Sequence, residues 1–292
     1  MFKQIGIVGT GTIGTGIAQL AVLSKIDVQL YDVNDTLLRR STVRINANLR
    51  KMVNLGKLTP EEVQASMERI RTRTSLPDLG HCDFIIESVI EDIRVKKDIF
   101  KHLDANTKST AILASTTSSL SITSIGANTR NPERIAGVHF FYPIETSSLV
   151  EVVKGFKTNN ETAERIIAFV NLIGKTPIVV KDTPGFIANR VSQPLYSESL
   201  RLLGENVANA EQIDRIVKII GGFPAGPFES MDQMGIDATL AEMQSLFEQS
   251  YGEPRLRPHP ILKQMVESGW LGKKTNKGFF NYDETNDKEL KS

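Results

Sequence analysis

The stretch KQIGIVGTGTIGTGIAQLAVLS, residues 3–24, decides the fold. It opens on a short run of β-branched apolar residues, the composition of a buried strand. Gly9, Gly11 and Gly14 follow, and from Ile13 to Ser24 the apolar residues recur at helical spacing. Glycines at these intervals permit a tight turn, admit a pyrophosphate close to the backbone and let the helix approach the strand. The N–H groups of Thr12, Ile13 and Gly14 then stand at the positive end of the helix dipole. Alone, such a turn also reads as an ordinary strand–helix connection. The next strand, DVQLY, changes that reading, because it ends in Asp32, where a carboxylate can accept hydrogen bonds from an adenosine ribose. A carboxylate there repels a 2′-phosphate and no arginine follows it directly, so NAD is expected in preference to NADP. Arg39 and Arg40, two turns further on, read as solvated helix charges.

Working outward, KQIGIVG, IDVQLYD, CDFIIES, TAILAST, RIAGVHF, LVEVV and TPIVVKD alternate with longer amphipathic stretches. Continuous apolar runs separated by helices predict a parallel sheet covered on both faces, a doubly wound α/β (Rossmann-type) domain. Asn34 to Glu68 is charged and helical in period, and is expected to form a projecting helical pair joined near Gly56 to Pro60. After DTPGF the pattern turns helical and stays so. Pro184 and Gly185 therefore mark a border between an NAD-binding domain, 1–184, and an all-α C-terminal domain, 185–292. The tail NDKELKS is polar and expected to fray.

At 292 residues, 40% hydrophobic and 24% charged, the chain has apolar material for two cores and is not compositionally disordered. Lys plus Arg number 35 against 34 Asp plus Glu, with no long single-sign block, so no nucleic-acid surface is indicated. No apolar run approaches the roughly 20 residues that span a bilayer, and a cytoplasmic protein is expected. The single cysteine, Cys82, opens an apolar run and reads as a small buried residue rather than a nucleophile.

Of four histidines, His139 is the one in a buried strand pattern, AGVHFFYP. A lone strand histidine is ordinarily a hydrogen-bonded core residue. Glu151, however, sits inside the apolar strand LVEVV, where an ionised carboxylate is costly unless paired. A buried acid beside a buried imidazole supplies an orienter and a base for a hydroxyl proton. The histidines lack ligand-type spacing, and no metal is assigned.

These features sit within longer motifs: GTGTIGTGIA at 9–18, IIESVIEDIRVKKDIF at 85–100, TSSLSIT at 117–123, GVHFFYP with LVEVV, DTPGFIANR at 182–190, GPFESMDQMG at 226–235 and LGKKTNKGFFNYD near the end. With them the chain resembles the 3-hydroxyacyl-CoA dehydrogenase family over nearly its whole length, and most of all the branch acting on 3-hydroxybutyryl-CoA and 3-hydroxyadipyl-CoA. The resemblance implies an NAD-dependent oxidation of a 3-hydroxyacyl-CoA, with His139 as base, Glu151 as its partner, and Ser118 and Asn189 holding the substrate oxygen. It implies that Glu91 and Lys96 contact the ribose and nicotinamide side of the cofactor; they also read as an exposed helix pair. Arg50, Lys51 and Lys57 fall in the arm that faces CoA, or equally on a solvated face. The resemblance further implies a homodimer through the C-terminal domain, where Leu200, Leu202, Leu203, Phe223, Met231 and Met234 exceed what a small domain is expected to bury.

The chain departs from the family pattern at Tyr142 and Thr116, where asparagines are usual, and in the loop segment IETSS. Tyr142 and Glu145 to Ser148 are expected to border the acyl pocket and to favour a short or polar-tailed acyl group, unless the loop faces solvent. The same chemistry on a free or carrier-protein-bound hydroxy acid, or a non-catalytic structural relative, are the competing readings.

Overall fold

Most strands of this chain run parallel and so end together along one side of a single sheet. In the computed structural model, which describes residues 2–282, the chain divides into a unit ending at Phe186 and a unit beginning at Ile187. The tail NDKELKS lies outside the described residues.

The first unit runs β1 (Gln4–Val8), α1 (Thr12–Leu23), β2 (Asp27–Tyr31), α2 (Asp35–Asn54), α3 (Pro60–Glu68), β3 (Ile70–Arg73), β4 (Phe84–Glu87), α4 (Ile93–Asn106), β5 (Ile112–Ser115), α5 (Ile122–Gly126), β6 (Ile135–Phe140), β7 (Leu149–Lys154), α6 (Asn160–Leu172) and β8 (Thr176–Lys181). The sheet order is β3-β2-β1-β4-β5-β6-β7-β8, so strand order reverses between β1 and β4. Alternation along the strands fills both faces. Ile7, Leu30, Phe84 and Ile86 pack against α1, α2 and α6 on one side; Ile85 and Leu113 meet Phe100 and Leu103 of α4 on the other.

Two sequence expectations need correction. The sheet is not wholly parallel: β6 and β7 run antiparallel. The reason is chain length, since residues 141–148 are too few for the crossover of about a dozen or more that parallel neighbours need. A strand was also missed. β3, IRTR, buries Ile70 alone and carries arginines on the sheet edge, where charge costs little and discourages further pairing. The helical pair exists, capped at its start by Asn34 and at its return by a Thr59–Glu62 capping box. One face of α2 buries Leu38, Ile45 and Leu49 in the core, while Gly56 and Lys57 at the tip are exposed.

Beneath the sheet edge a buried ion pair ties α4 to the start of β6. Arg134 reaches Asp104 Oδ1 from Nη2 at 2.8 Å and from Nε at 3.2 Å, and its Nη1 donates to Ala111 O at 3.1 Å. Asp104 Oδ2 accepts from Arg130 N at 2.6 Å, and Oδ1 from Asn131 Nδ2 at 3.1 Å.

The second unit contains α7 (Ala188–Gly204), α8 (Ala210–Gly221), α9 (Pro227–Met234), α10 (Ile236–Gln249) and α11 (Pro260–Glu267) around Leu200, Ile213, Phe228, Met231, Met243 and Leu262. Buried Asp232 on α9 accepts Phe279 N and Phe280 N, both at 2.9 Å, and Tyr282 OH at 3.0 Å. Gly278 is required there, since a Cβ on it would stand 1.9 Å from Asp232 Oδ1. The segment LGKKTNKGFFNY is thereby hooked onto α9. Leu200 and Met231 belong to this core rather than to an apolar surplus. Leu202 and Leu203 are half-buried against it, while Phe223 and Met234 are exposed, and α8 adds an exposed apolar face of Ile216, Ile219 and Ile220 that leads to Phe223.

Candidate active site

At the β1–α1 turn Gly9 adopts φ +101°, and a Cβ on it would lie 2.3 Å from Ser88 O, while a Cβ on Gly14 would lie 2.1 Å from Gly9 O. Both positions exclude a side chain. Among the described residues nothing outside its own turn lies within 4 Å of where a Cβ on Gly11 would stand, and Gly11, as N-cap of α1, has no side chain to satisfy the helix N–H groups. The first N–H groups of a helix, here Thr12, Ile13 and Gly14, have no intrahelical acceptor. An open cradle lined by such groups fits a pyrophosphate. Asp32, just past β2, accepts Thr10 N at 2.9 Å and Thr10 Oγ1 at 2.6 Å, both on Oδ2. The carboxylate proposed for the ribose is therefore held against the glycine turn by Thr10, a residue that sequence reasoning passed over. Arg39 and Arg40 are exposed on α2. Asp32→Ser is expected to narrow the preference for NAD over NADP by removing repulsion of the 2′-phosphate. The ratio of kcat/KM for the two cofactors measures it, and equal use of both by the wild type would refute this role of Asp32.

His139 and Glu151 are direct cross-strand partners in the β6–β7 ladder. Partners in such a pair point to the same face, here the α4–α5 face. His139 Nδ1 and Glu151 Oε2 are 2.7 Å apart, and both side chains are buried. The imidazole is flanked by Phe141 at 4.5 Å and Phe186 at 5.8 Å between ring centroids. With Nδ1 engaged by the carboxylate, Nε2 is the ring atom available to a reacting hydroxyl.

The loop between these strands carries the cis Tyr142–Pro143 bond. Tyr142 is 63% exposed and Glu145, Thr146 and Ser148 are exposed as well, whereas Ile144 is buried. Ile144 occupies the space beside Gly16, where a Cβ on α1 would lie 2.9 Å from it. Lys175, not singled out from sequence, donates to the carbonyls of Ile144 at 2.7 Å and Ser147 at 2.6 Å and clamps the loop. Burial lowers the pKa of this ammonium, opposed by the charge of Glu145.

Glu91 and Lys96 are not an exposed pair. The Lys96 side chain is 1% exposed and its Nζ bonds Glu87 Oε1 at 2.7 Å and Glu91 Oε2 at 3.3 Å. Glu91 in turn accepts Ser118 N at 3.2 Å and Ser119 Oγ at 3.1 Å, as well as the Thr117 hydroxyl. Ser118 is thus on a loop held by Glu91. Thr116, where an asparagine was expected, bonds through its backbone N to Glu87 O. Asn189 lies in the first turn of α7, in the second unit, half-buried. Arg50, Lys51 and Lys57 are exposed along the end of α2 and the turn after it. Cys82 is buried, and burial pushes its thiol up to about 12, which leaves it unreactive.

Comparison with known proteins matches residues 4–183 to the family model of the 3-hydroxyacyl-CoA dehydrogenase NAD binding domain and residues 185–282 to that of the C-terminal domain. A 3-hydroxybutyryl-CoA dehydrogenase of Bradyrhizobium diazoefficiens is 40% identical over 97% of this chain and 96% of its own. A 3-hydroxyadipyl-CoA dehydrogenase of Escherichia coli is 39% identical over 96% of this chain and 59% of its own. The crystal structure of an (S)-3-hydroxybutyryl-CoA dehydrogenase from Ralstonia eutropha superposes with a TM-score of 0.94 at 35% identity, covering 97% of this chain and all of that one.

Proposed function

The chain belongs to the 3-hydroxyacyl-CoA dehydrogenase family, and from that premise we propose that its buried His139–Glu151 pair carries the reaction. The activity is the reversible NAD-dependent oxidation of the 3-hydroxyl of a short-chain 3-hydroxyacyl-CoA to the 3-ketoacyl-CoA. NAD, when bound, supplies the acceptor for the hydride that leaves C3. His139 takes the hydroxyl proton at Nε2. Glu151, on Nδ1, fixes the tautomer that leaves Nε2 basic and stabilises the imidazolium once the proton has moved. Ser118 and Asn189 hold the substrate oxygen so that C3 is aligned for transfer. The glycine turn with Thr12 and Ile13 binds the pyrophosphate, Asp32 the adenosine ribose, and Glu91 with Lys96 the nicotinamide side. Exposed Arg50, Lys51 and Lys57 suit the phosphates of CoA.

The observation that carries the reading is the 2.7 Å contact between His139 Nδ1 and Glu151 Oε2 inside an apolar ladder, since a buried acid there costs stability unless it serves the imidazole. Titration with NADH followed by acetoacetyl-CoA tests it. Oxidation of NADH by the CoA ester but not by free acetoacetate is expected; binding without turnover would identify a structural relative, and turnover of the free acid alone a different substrate class.

The acyl choice proposed is C4 or polar-tailed, supported by the 3-hydroxybutyryl-CoA and 3-hydroxyadipyl-CoA dehydrogenases among the relatives. Tyr142 and Glu145 are exposed in the loop joining the two catalytic strands, and the chain-length series also tests whether they border the acyl group. Each buried methylene contributes about 0.8 kcal/mol, so an apolar tunnel would make kcat/KM climb with length. Across C4 to C16 esters no such climb is expected. A steady rise, or a Tyr142→Asn variant indistinguishable from wild type at every length, would remove this loop from substrate selection.

We also propose a two-fold dimer through the helical unit, in a cytoplasmic enzyme that draws on NAD and CoA esters there. Ile216, Ile219 and Ile220 stand 61%, 67% and 82% exposed on one face of α8, with Phe223 half-exposed beside them. A contiguous apolar face of this kind is the material of a self-complementary interface. Light scattering at micromolar concentration is expected to give twice the chain mass, and Ile219→Lys half of that. A wild-type monomer would refute the dimer.

A further inference from the structure

Glu87 ends β4 fully buried, and the reaction as derived makes no use of it. Its Oε1 accepts Lys96 Nζ and Val89 N, each at 2.7 Å, and its Oε2 accepts Ser115 Oγ at 2.7 Å. Lys96 spends its remaining contacts on Glu91 Oε2 at 3.3 Å and Val89 O at 3.4 Å. Two carboxylates thus share one ammonium, and the cluster carries a formal charge of minus one. As mere packing, such a group is a poor choice: a buried ion pair is commonly no more stabilising than apolar residues of equal volume.

The placement of the cluster gives the charge a purpose. It stands at the ends of β4 and β5, just beyond the reversal of strand order, and the residue after Glu87 abuts the glycine turn through Ser88 O. In a doubly wound sheet the dinucleotide crosses the strand ends at that reversal, one half on each side. Asp32 marks the adenosine half at β2, so the nicotinamide half falls on the side of β4, β5 and β6, with Glu87, Ser118 and His139. A nicotinamide ring is cationic when oxidised and neutral when reduced.

We propose that Glu87 is a positioning residue that pins Lys96 and, by leaving the Glu87–Lys96–Glu91 cluster with one uncompensated negative charge, favours the oxidised over the reduced cofactor. The proposal rests on the NAD-binding role of this unit. Neutralising Glu87 while keeping its shape removes that charge, and substitution of a neighbour that only hydrogen-bonds does not. One unit charge acting over about a nanometre in a half-solvated site changes an equilibrium by about fivefold.

The test measures separate Kd values for NAD and NADH on the full-length protein without substrate, by NADH fluorescence and its displacement. Glu87→Gln is expected to raise the ratio Kd(NAD)/Kd(NADH) about fivefold, and Ser115→Ala, which keeps the charge, to leave it unchanged even if both variants melt earlier. Should Glu87→Gln fail to fold, half-exposed Glu91→Gln removes the same charge and is compared with Glu91→Asp, which alters the Glu91 contact but keeps the charge: the ratio is expected to move in the first and not in the second. An unmoved ratio in the charge variants, or an equal movement in Ser115→Ala, overturns the proposal while the cofactor reading stands. Failure of the wild type to bind NAD at all would overturn both.

Discussion

His139→Gln is expected to lower turnover by about 100-fold or more while NADH binding survives, because a positioned general base contributes about 10² to 10⁴ in rate and the glycine turn that holds the cofactor is untouched. The glutamine keeps a hydrogen-bonding group opposite Glu151 but cannot accept and release the proton. Glu151→Gln is expected to lower the rate as well and to change the shape of the pH–rate profile, since the imidazolium loses its compensating charge. Steady-state kinetics over a pH series, with fluorescence titration of NADH, checks both. Near-normal turnover in His139→Gln, or an unaltered profile in Glu151→Gln, would remove the pair from the mechanism.

The second large effect is on stability. Arg134→Met leaves Asp104 buried with neither guanidinium nor solvent, and breaking a buried pair from one side costs about 3–5 kcal/mol. For a unit of this size that is a fall in melting temperature on the order of 10 °C. Burial pushes the Asp104 carboxyl up, but the bonds from Arg134, Arg130 N and Asn131 outweigh it and hold the group below the ordinary aspartate value. A carboxyl lowered on folding contributes stability that is present above its unfolded pKa, about 3.9, and is lost as pH falls through the lower folded value. The gap in melting temperature between wild type and variant is therefore expected to be full near neutrality and to shrink below about pH 4. A gap that does not change with pH would show that the loss comes from packing alone.

Much of the nucleotide end was legible in the chain, because glycines without alternatives and an acid at a strand end are local signals. Gly9 and Gly14 are dictated by backbone atoms within a few residues or one strand away, and a turn of that kind is written in consecutive letters. The His139–Glu151 pairing was half-legible. An acid in LVEVV demands a partner, but that the partner lies directly across the ladder follows from the antiparallel run of β7, which a pattern of alternating strands and helices concealed. β3 was invisible because an edge strand with one buried residue has almost no apolar signature. For Lys96 the alternative reading as a solvated helix charge fails, and its burial is accounted for by Glu87, nine residues away in sequence, a partner that the charge pattern of the helix does not point to. Of the apolar surplus expected in the helical unit, Phe223 and Met234 are exposed but Leu200 and Met231 are core, and composition cannot separate these from Ile219 and Ile220; the face each presents is decided by tertiary packing.

The ladder that joins β6 to β7 separates what can vary from what cannot. His139 meets Glu151 because of strand register, held by the hydrogen bonds of the ladder, with buried Ile144 and the Lys175 clamp anchoring the loop between the strands. Exchanges at the loop's exposed positions, Tyr142, Glu145 and Thr146, leave that ladder and the buried Ile144 anchor in place, so on the proposed reading they are the changes that could remodel acyl selection without retuning proton transfer. A deletion of one residue in β7 ahead of Glu151 has no such latitude. It would turn every side chain beyond it to the opposite face of the sheet, leaving His139 facing a valine and the carboxylate buried among the aliphatic side chains beneath α6.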